Sequence, residues 1–268
     1  MEELKIHFIG CGNMAGAMLT HWIHKEAPLK ATIIKPSAPS ALLAPHVTYS
    51  SSYDNVSSQA DVTMLGVKPQ MMREVYVKAV GHYGTSPLYV TMAAGLDCNV
   101  YKTLAPECGI LRIMPNTPVG IGQGVVSCYV TDEDRQRYLS QIESLKILLN
   151  ILGTCCWLED ETLFDAATAI AGSGPAYVYL FIEALVQAGV GQGICKDTST
   201  LLAMNMVQGA SAYAAQSQDS LEALRHQVTS KGGTTQAALN VLMKDDALIG
   251  LIHDAIEAAV KRAKELAQ

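Results

Sequence analysis

The stretch that most restricts what this chain can fold into lies near its start. There the apolar run 4–9 passes into Gly10-Cys11-Gly12-Asn13-Met14-Ala15 and then into a helical pattern through Met18, Leu19, Trp22 and Ile23. A strand that turns on glycine and continues as a helix is the opening unit of an α/β sheet. Gly10 makes the turn, Gly12 lets a ligand's phosphates approach the backbone, and Ala15 permits close helix packing. The spacing predicts a dinucleotide site built from Gly10, Gly12, Asn13 and Met14 at a helix N-terminus. The plainer alternative is a tight strand-helix turn of the kind any α/β protein uses.

Short strands recur at 31–34, 62–66, 88–92, 110–113, 125–130 and 154–158, the last two flanking an amphipathic helix over 132–152. Repeated strand-helix units of this length predict a parallel, doubly wound sheet of the Rossmann type over residues 1–160. From 161 the strands stop and Ala, Leu, Met and Gln rise, in helical stretches at 175–190, 198–216, 220–228 and 234 to the end. Residues 161–268 are therefore expected to form an all-helical domain. Ser173-Gly174-Pro175 reads as a helix start with Pro175 in the first turn and Ser173 as cap, the alternative being that Ser173 shapes a pocket wall. The last helix pairs Glu257 with Lys261 and Lys261 with Glu265 at four-residue spacing, and its expected buried stripe is Ala255, Ile256, Ala259, Val260, Ala263 and Leu266. Alanine-rich helices such as 203–215 bury little per turn and pack closely, which points to cover by another subunit.

With 268 residues, 49% of them hydrophobic and 16% charged, the chain can bury a large core, and disorder is excluded. A net charge of -6 and a pI near 5.6, with no Lys/Arg cluster, argue against a nucleic-acid partner. Seven scattered cysteines, without C-x-x-C or zinc-ligand spacing, read as reduced, mostly buried thiols of a cytoplasmic protein, and no metal site is expected. The acidic N-terminal residues do not resemble a signal peptide. The most apolar helical stretch, 177–186, is interrupted by Glu183 and is too short to cross a bilayer, so no membrane partner is expected either.

Several further turns bear on chemistry. At the end of the second strand Lys35-Pro36-Ser37 stands where an NAD-specific protein would carry an acid, and Lys35 with Ser37 favours the 2′-phosphate of NADPH over NADH. An ordinary solvated lysine is the alternative, and NADH stays possible. Val67-Lys68-Pro69 and Ala93-Ala94-Gly95 follow strands at the edge where a cofactor would lie, small residues letting a ring or ribose rest on the backbone. Asn116, in a loop stiffened by Pro115 and Pro118, has the donor and acceptor that a nicotinamide carboxamide can use, though turn-forming Asn is common. Ser230-Lys231-Gly232-Gly233-Thr234-Thr235 lies ahead of an amphipathic helix. Its glycines and the helix N-terminus suit a small carboxylate, while the hydroxyls of Ser230, Thr234 and Thr235 can orient a polar substrate. A loop-to-helix junction with Thr as N-cap is the bland reading.

Gly-x-Gly-x-Met-Ala at 10–15, Val-Lys-Pro-Gln at 67–70, Ala-Ala-Gly at 93–95, Arg-x-Met-Pro-Asn-Thr-Pro at 112–118, Gly-Ser-Gly-Pro-Ala-Tyr at 172–177 and Thr-Ser-x-Gly-Gly-Thr-Thr at 229–235 occur in the order and spacing of pyrroline-5-carboxylate reductase, which the chain resembles over nearly its whole length. The last two motifs are the specific ones. The resemblance implies reduction of 1-pyrroline-5-carboxylate to proline by NAD(P)H, with a helical domain interlocked with a second subunit's and the dimers joined in a larger ring. It further implies that the carboxylate sits on Ser230, Gly232, Gly233 and Thr234, with the Thr235 hydroxyl approaching the imine nitrogen as the catalytic group. Two positions depart from the family pattern. Lys231 replaces a proline, and Lys35-Pro36-Ser37 replaces a sequence with arginine, offering a point charge rather than a bidentate guanidinium.

Imine reduction needs orientation more than side-chain chemistry, which agrees with seven histidines in no triad pattern; His21 and His24 read as surface or packing residues. A β-hydroxyacid dehydrogenase would carry a lysine on the first long helix of the second domain; 175–190 has none, and the nearest is Lys196. A non-catalytic NADP-binding sensor would let the 230–235 turn decay, and Ser230, Gly232, Gly233 and Thr235 are all present.

Overall fold

The computed structural model describes residues 3–38 and 45–266. Two compact units emerge, Met1–Ser173 together with Ala259–Gln268, and Gly174–Ala258.

In the first unit the strands are β1 Leu4–Ile9, β2 Leu29–Ile34, β3 Val47–Ser50, β4 Val62–Leu65, β5 Leu88–Thr91, β6 Ile110–Pro115, β7 Gly124–Val130 and β8 Gly153–Trp157. Among the described residues they form one sheet in the order β3-β2-β1-β4-β5-β6-β7-β8. The first six are parallel, in the doubly wound order that reverses direction between β1 and β4. Helices α1 Asn13–His24, α2 Pro69–Tyr83 and α3 Cys98–Leu104 connect them. The central strands are buried on both faces, which their unbroken apolar runs foretell. One face packs Ile6, Phe8, Met64 and Val90 against Met18, Leu19 and Trp22 of α1. The other packs Ile9, Leu65 and Tyr89 against Met72 and Tyr76 of α2 and Tyr101 of α3.

Several expectations need correction. Strand β7 runs antiparallel to β6. The eight residues between them, mostly a 3-10 turn over Thr117–Ile121, are too few for a parallel crossover. The edge strand β3 has no counterpart in the sequence reading, because only Val47 of its four residues is buried and the apolar signal is correspondingly thin. The helix expected over 132–152 is two, α4 Asp132–Arg137 and α5 Leu139–Ile151. They part at Tyr138, whose buried hydroxyl donates to the Thr85 carbonyl at 2.7 Å and accepts the Gly109 N–H at 3.3 Å. Of the seven cysteines, all free, Cys98, Cys108 and Cys128 are buried, Cys11 and Cys155 half-buried, and Cys156 and Cys195 exposed. The two histidines of α1 take the two expected roles, His24 being exposed and His21 buried and packed beside Gly122.

Helix α6 Phe164–Ala167 leads through a π-turn over Thr168–Gly172 into α7 Gly174–Gly191 of the second unit. Ser173 has helical torsions, φ -84° and ψ -20°, and its N–H bonds to the Thr168 carbonyl, so it continues the helix rather than capping it. The resulting helical run, Glu161–Gly191, is 31 residues long and contains an 18-residue stretch of mean hydropathy 1.4, enough by length and composition to cross a bilayer. The run is therefore much longer than the expected apolar stretch 177–186, because the helix begins upstream of Pro175 and passes through Glu183 unbroken. The second unit continues with α8 Lys196–Gln216, α9 Leu221–Gln227, α10 Thr234–Leu242 and the first part of α11 Ala247–Leu266, whose residues from Ala259 onward belong to the first unit. The helix expected from 234 to the end is thus broken, at Asp245 and Asp246, which take left-handed φ of 51° and 55°. A short polar side chain lets Asp visit that region more readily than most residues. In α11 Ala263 is buried and Ile256, Ala259 and Val260 are half-buried, but Ala255 is exposed. The side chain of Leu266 lies outside the described residues. Neither expected Lys261 pair forms among the described residues; Arg262 holds Glu265 at 2.8 Å instead.

Two buried polar contacts fix the first unit. His7 Nδ1 lies 2.8 Å from the Tyr83 hydroxyl, linking β1 to α2, and burial pushes its pKa down to about 4. Arg112 of β6, 3% exposed, donates to Glu161 at 2.6 Å and stacks its guanidinium 4.0 Å over the Phe164 ring. The same Glu161 oxygen accepts the Cys98 N–H at 2.7 Å, so one carboxylate joins β6, the start of α3 and the approach to α6.

Folded His7 stays neutral where an unfolded imidazole, with its ordinary pKa of 6.5, takes up a proton. Its contribution to stability is therefore complete above that value and is lost as pH falls toward 4. Denaturant titrations at pH 7 and pH 5 should show a smaller pH loss in His7→Gln than in wild type; equal losses would refute this role. Glu161→Ala leaves the Arg112 charge buried without its partner and should cost about 3 kcal/mol, the low end for breaking a buried pair. Arg112→Met/Glu161→Leu together should cost less, as chemical denaturation would read.

Candidate active site

The cofactor residues expected from sequence gather along the carboxyl edge of the parallel strands. Gly10 follows β1 and Val67 and Lys68 follow β4, on either side of the reversal, while Lys35 follows β2 and Ala93 follows β5. Ligands of open α/β sheets bind in this crevice.

Gly10 has φ 78°, and its N–H bonds to the Ile34 carbonyl at 2.8 Å. A Cβ there would lie 2.7 Å from Val67 Cγ1 and 2.9 Å from the Gly66 carbonyl oxygen, so both conformation and space demand glycine. Gly66 faces it just as closely: a Cβ on Gly66 would stand 2.6 Å from the Gly10 carbonyl oxygen. Gly66 is not among the expected site residues, although a glycine directly after a strand is the signal that marks it. Gly12 is different. A Cβ there would meet only the Gly66 oxygen, at 4.0 Å, so its missing side chain leaves open space.

That opening lies at the start of α1, where Gly12 is the N-cap and no side chain caps the helix. Its first turn, Asn13 onward, carries no acid, so orphan amides and the dipole's positive end face outward. Half-buried Lys35 adds charge nearby: burial raises the pKa of the Cys11 thiol in this turn, and the Lys35 ammonium offsets part of that rise. Ser37 is exposed. Lys68 is the exposed N-cap of α2, with Pro69 at its first position, where a missing N–H costs nothing. Neither Lys35 nor Lys68 has an acidic partner among the described residues. In the third turn Ala93 is buried, Ala94 half-buried and Gly95 left-handed at φ 77°, with the Ala93 N–H on Thr91 Oγ1 at 3.3 Å. These features fit a dinucleotide: a glycine cradle, an uncapped helix start and unpaired cations.

Asn116 is placed otherwise than its expected role suggests. It is buried, its Nδ2 donates to the Ala171 carbonyl at 3.0 Å, and its Oδ1 accepts the Val125 N–H at 2.8 Å. One amide hydrogen and one lone pair remain for any ligand.

In the second unit, Ser230 to Gly233 form a β-turn. The Gly233 N–H bonds to the Ser230 carbonyl at 3.0 Å, and Gly232 takes φ 74°. Gly233, not a threonine, is the N-cap of α10, and no side chain caps the helix. The orphan amides of Thr234 and Thr235 are thus able to hold an anion, with no acid in the first turn to oppose it. The Gly233 amide is spent on the turn, so this residue serves by shape: a Cβ on it would lie 2.5 Å from Ser230 Oγ. Thr235 is half-buried, and Ser230, Lys231 and Thr234 are exposed. Among the described residues the one grouping of three potential metal ligands, His253, Asp254 and Glu257, is fully exposed on α11.

The helical unit leaves many large apolar side chains uncovered, among them Tyr179, Leu180 and Phe181 of α7, Leu201 of α8, Val241 of α10 and Leu251 of α11.

Comparison with known proteins accounts for both halves. The family described as pyrroline-5-carboxylate reductase dimerisation matches residues 161–266, and that described as NADP oxidoreductase, coenzyme F420-dependent, matches residues 5–95. The pyrroline-5-carboxylate reductase of Vibrio alginolyticus is 34% identical over 276 aligned positions, covering 99% of this chain and 98% of its own. Among solved structures, the pyrroline carboxylate reductase of Plasmodium falciparum with NADP bound superposes with a TM-score of 0.87 at 28% identity over 100% of both chains. That of Coxiella burnetii superposes at 0.86 and 30% identity over 98% of both. An uncapped, acid-free helix start behind Gly232 and Gly233, a glycine cradle at the sheet's reversal and full-length identity above 30% together assign this chain to the pyrroline-5-carboxylate reductase family.

Proposed function

We propose that this chain reduces 1-pyrroline-5-carboxylate to L-proline with NADPH, the last step of proline biosynthesis. The observation that carries this reading is the uncapped N-terminus of α10 behind the 230–233 turn, in a chain whose sheet also bears a dinucleotide cradle. When bound, NADPH supplies the hydride that adds to the imine carbon. The backbone of Gly10, Gly12, Asn13 and Met14 holds the pyrophosphate, with Lys68 and Pro69 bordering it. Lys35 and Ser37 take the 2′-phosphate, and Val67, Ala93, Ala94 and Gly95 give the ribose and ring a surface without bulky side chains. Asn116 orients the carboxamide with its remaining hydrogen and lone pair.

Ser230, Gly232, Gly233 and Thr234 seat the substrate carboxylate, and the Thr235 hydroxyl accepts a hydrogen bond from the ring nitrogen, which takes its proton from solvent before hydride adds to the carbon and leaves the neutral amine. No stronger acid is required, since a protonated cyclic imine is already electrophilic; fixing its position is the larger part of the task. A β-hydroxyacid dehydrogenase mechanism lacks its lysine: α7 has none, and Lys196 opens α8.

The boundary we favour puts residues 1–160 in the cofactor domain and 161–268 in the substrate and dimerisation domain, a division supported by the span of the dimerisation family. The protein is a homo-oligomer, and we favour a ring of dimers. A second subunit covering the bare faces of α7 and α8 explains their composition without a membrane. Seven free thiols support a cytoplasmic setting.

Purified protein given NADPH and pyrroline-5-carboxylate should lose nicotinamide absorbance and form proline; binding without turnover would favour an NADP sensor. Thr235→Ala should lower kcat by about 100-fold or less while sparing NADPH affinity, and equal loss of both would count against its assigned role. Lys35→Ala should raise KM for NADPH several-fold and leave that for NADH unchanged.

A further inference from the structure

The mechanism above leaves Lys231 without a task, although it sits in the substrate turn. A hydrogen bond from the Gly233 N–H to the Ser230 carbonyl, with left-handed φ at the third residue, Gly232, is the signature of a type II turn. The second position of such a turn favours proline, whose ring fixes the needed φ in advance. This chain places a lysine there. For the turn that is a loss of rigidity, so the gain is sought in the charge.

The surroundings make that charge available. Lys231 is exposed, no acidic side chain lies within ion-pair distance of it among the described residues, and the first turn of α10 has no acid. The amides of Thr234 and Thr235 next to it are uncapped. A flexible ammonium beside an anion seat made of backbone dipoles adds a full positive charge to partial ones.

We propose that Lys231 is a specificity-determining residue, which strengthens the capture of carboxylate-bearing cyclic imines over those lacking the carboxylate. This rests on the reading of the 230–235 turn as the carboxylate seat. Because the side chain is solvated, its contribution is modest and is screened by salt. It acts on binding rather than on hydride transfer, since a charge seen equally by the bound substrate and its transition state lowers KM and leaves kcat alone.

The test uses Lys231→Pro, which keeps and stiffens the turn, and Lys231→Gln, which removes only the charge. Both should raise KM for pyrroline-5-carboxylate by about 2- to 5-fold at low salt, leave kcat unchanged and flatten the salt dependence of KM. The kinetics of 1-pyrroline, which has no carboxylate, should not move. Unchanged KM and salt dependence in both variants, or an equal change toward 1-pyrroline, would overturn the proposal. Titration calorimetry of proline in the presence of NADP reads the same charge without turnover. An inactive wild type that still binds proline more tightly than Lys231→Gln sinks the reductase reading and keeps this one. An inactive wild type that binds no proline sinks both.

Discussion

At the reversal of the sheet, two neighbouring parallel strands end in glycines that approach backbone to backbone. The loops after β1 and β4 come so close that a single methylene on Gly10 or Gly66 would collide with the other's carbonyl group. Backbone amides at the head of α1 can then line a crevice that side chains would otherwise fill. The cost is conformational, since Gly10 must take a left-handed φ that other residues resist. The return is a rigid edge on which the turns after β2, β4 and β5 stand in fixed order. Trp22, donating from its indole to the Leu148 carbonyl at 2.7 Å, braces the last turn of α1 against α5.

The second unit relies on the same device in a simpler setting. A turn carrying one left-handed glycine ends at a helix whose first amides have no side-chain partner. Chemistry that consists of seating one carboxylate and one ring nitrogen asks little more of the protein than donors at fixed places. On the proposed function, N–H groups at fixed places and the Thr235 hydroxyl do the orienting that the reaction needs.

Much of this was legible in the sequence because it depends on local rules. Glycine spacing after a strand, apolar runs of strand length and the loss of strands beyond 160 each report on the chain within a few residues. What escaped depends on contacts distant in sequence. The commitment of Asn116 requires Val125 and Ala171, and the tie from Glu161 to Arg112 and Cys98 spans residues 49 and 63 positions apart. The short edge strand β3 is held by its pairing to β2 more than by its own apolar content. Ser173 looked like a cap because Gly-Pro follows it, yet the preceding π-turn carries the helix through without interruption. The break at Asp245 and Asp246 likewise left no glycine or proline to announce it.

The bare apolar flank of α7 and α8 bears on how the protein comes to be folded at all. A helical layer that leaves Leu180, Phe181 and Leu201 exposed among the described residues would gain much burial in the homo-oligomer that its dimerisation family implies. Its persistence is then a matter of mass action, rising with the protein's own abundance. Newly made chains would pass through an interval as sticky monomers, when the sheet unit can already be complete and its companion still awaits assembly.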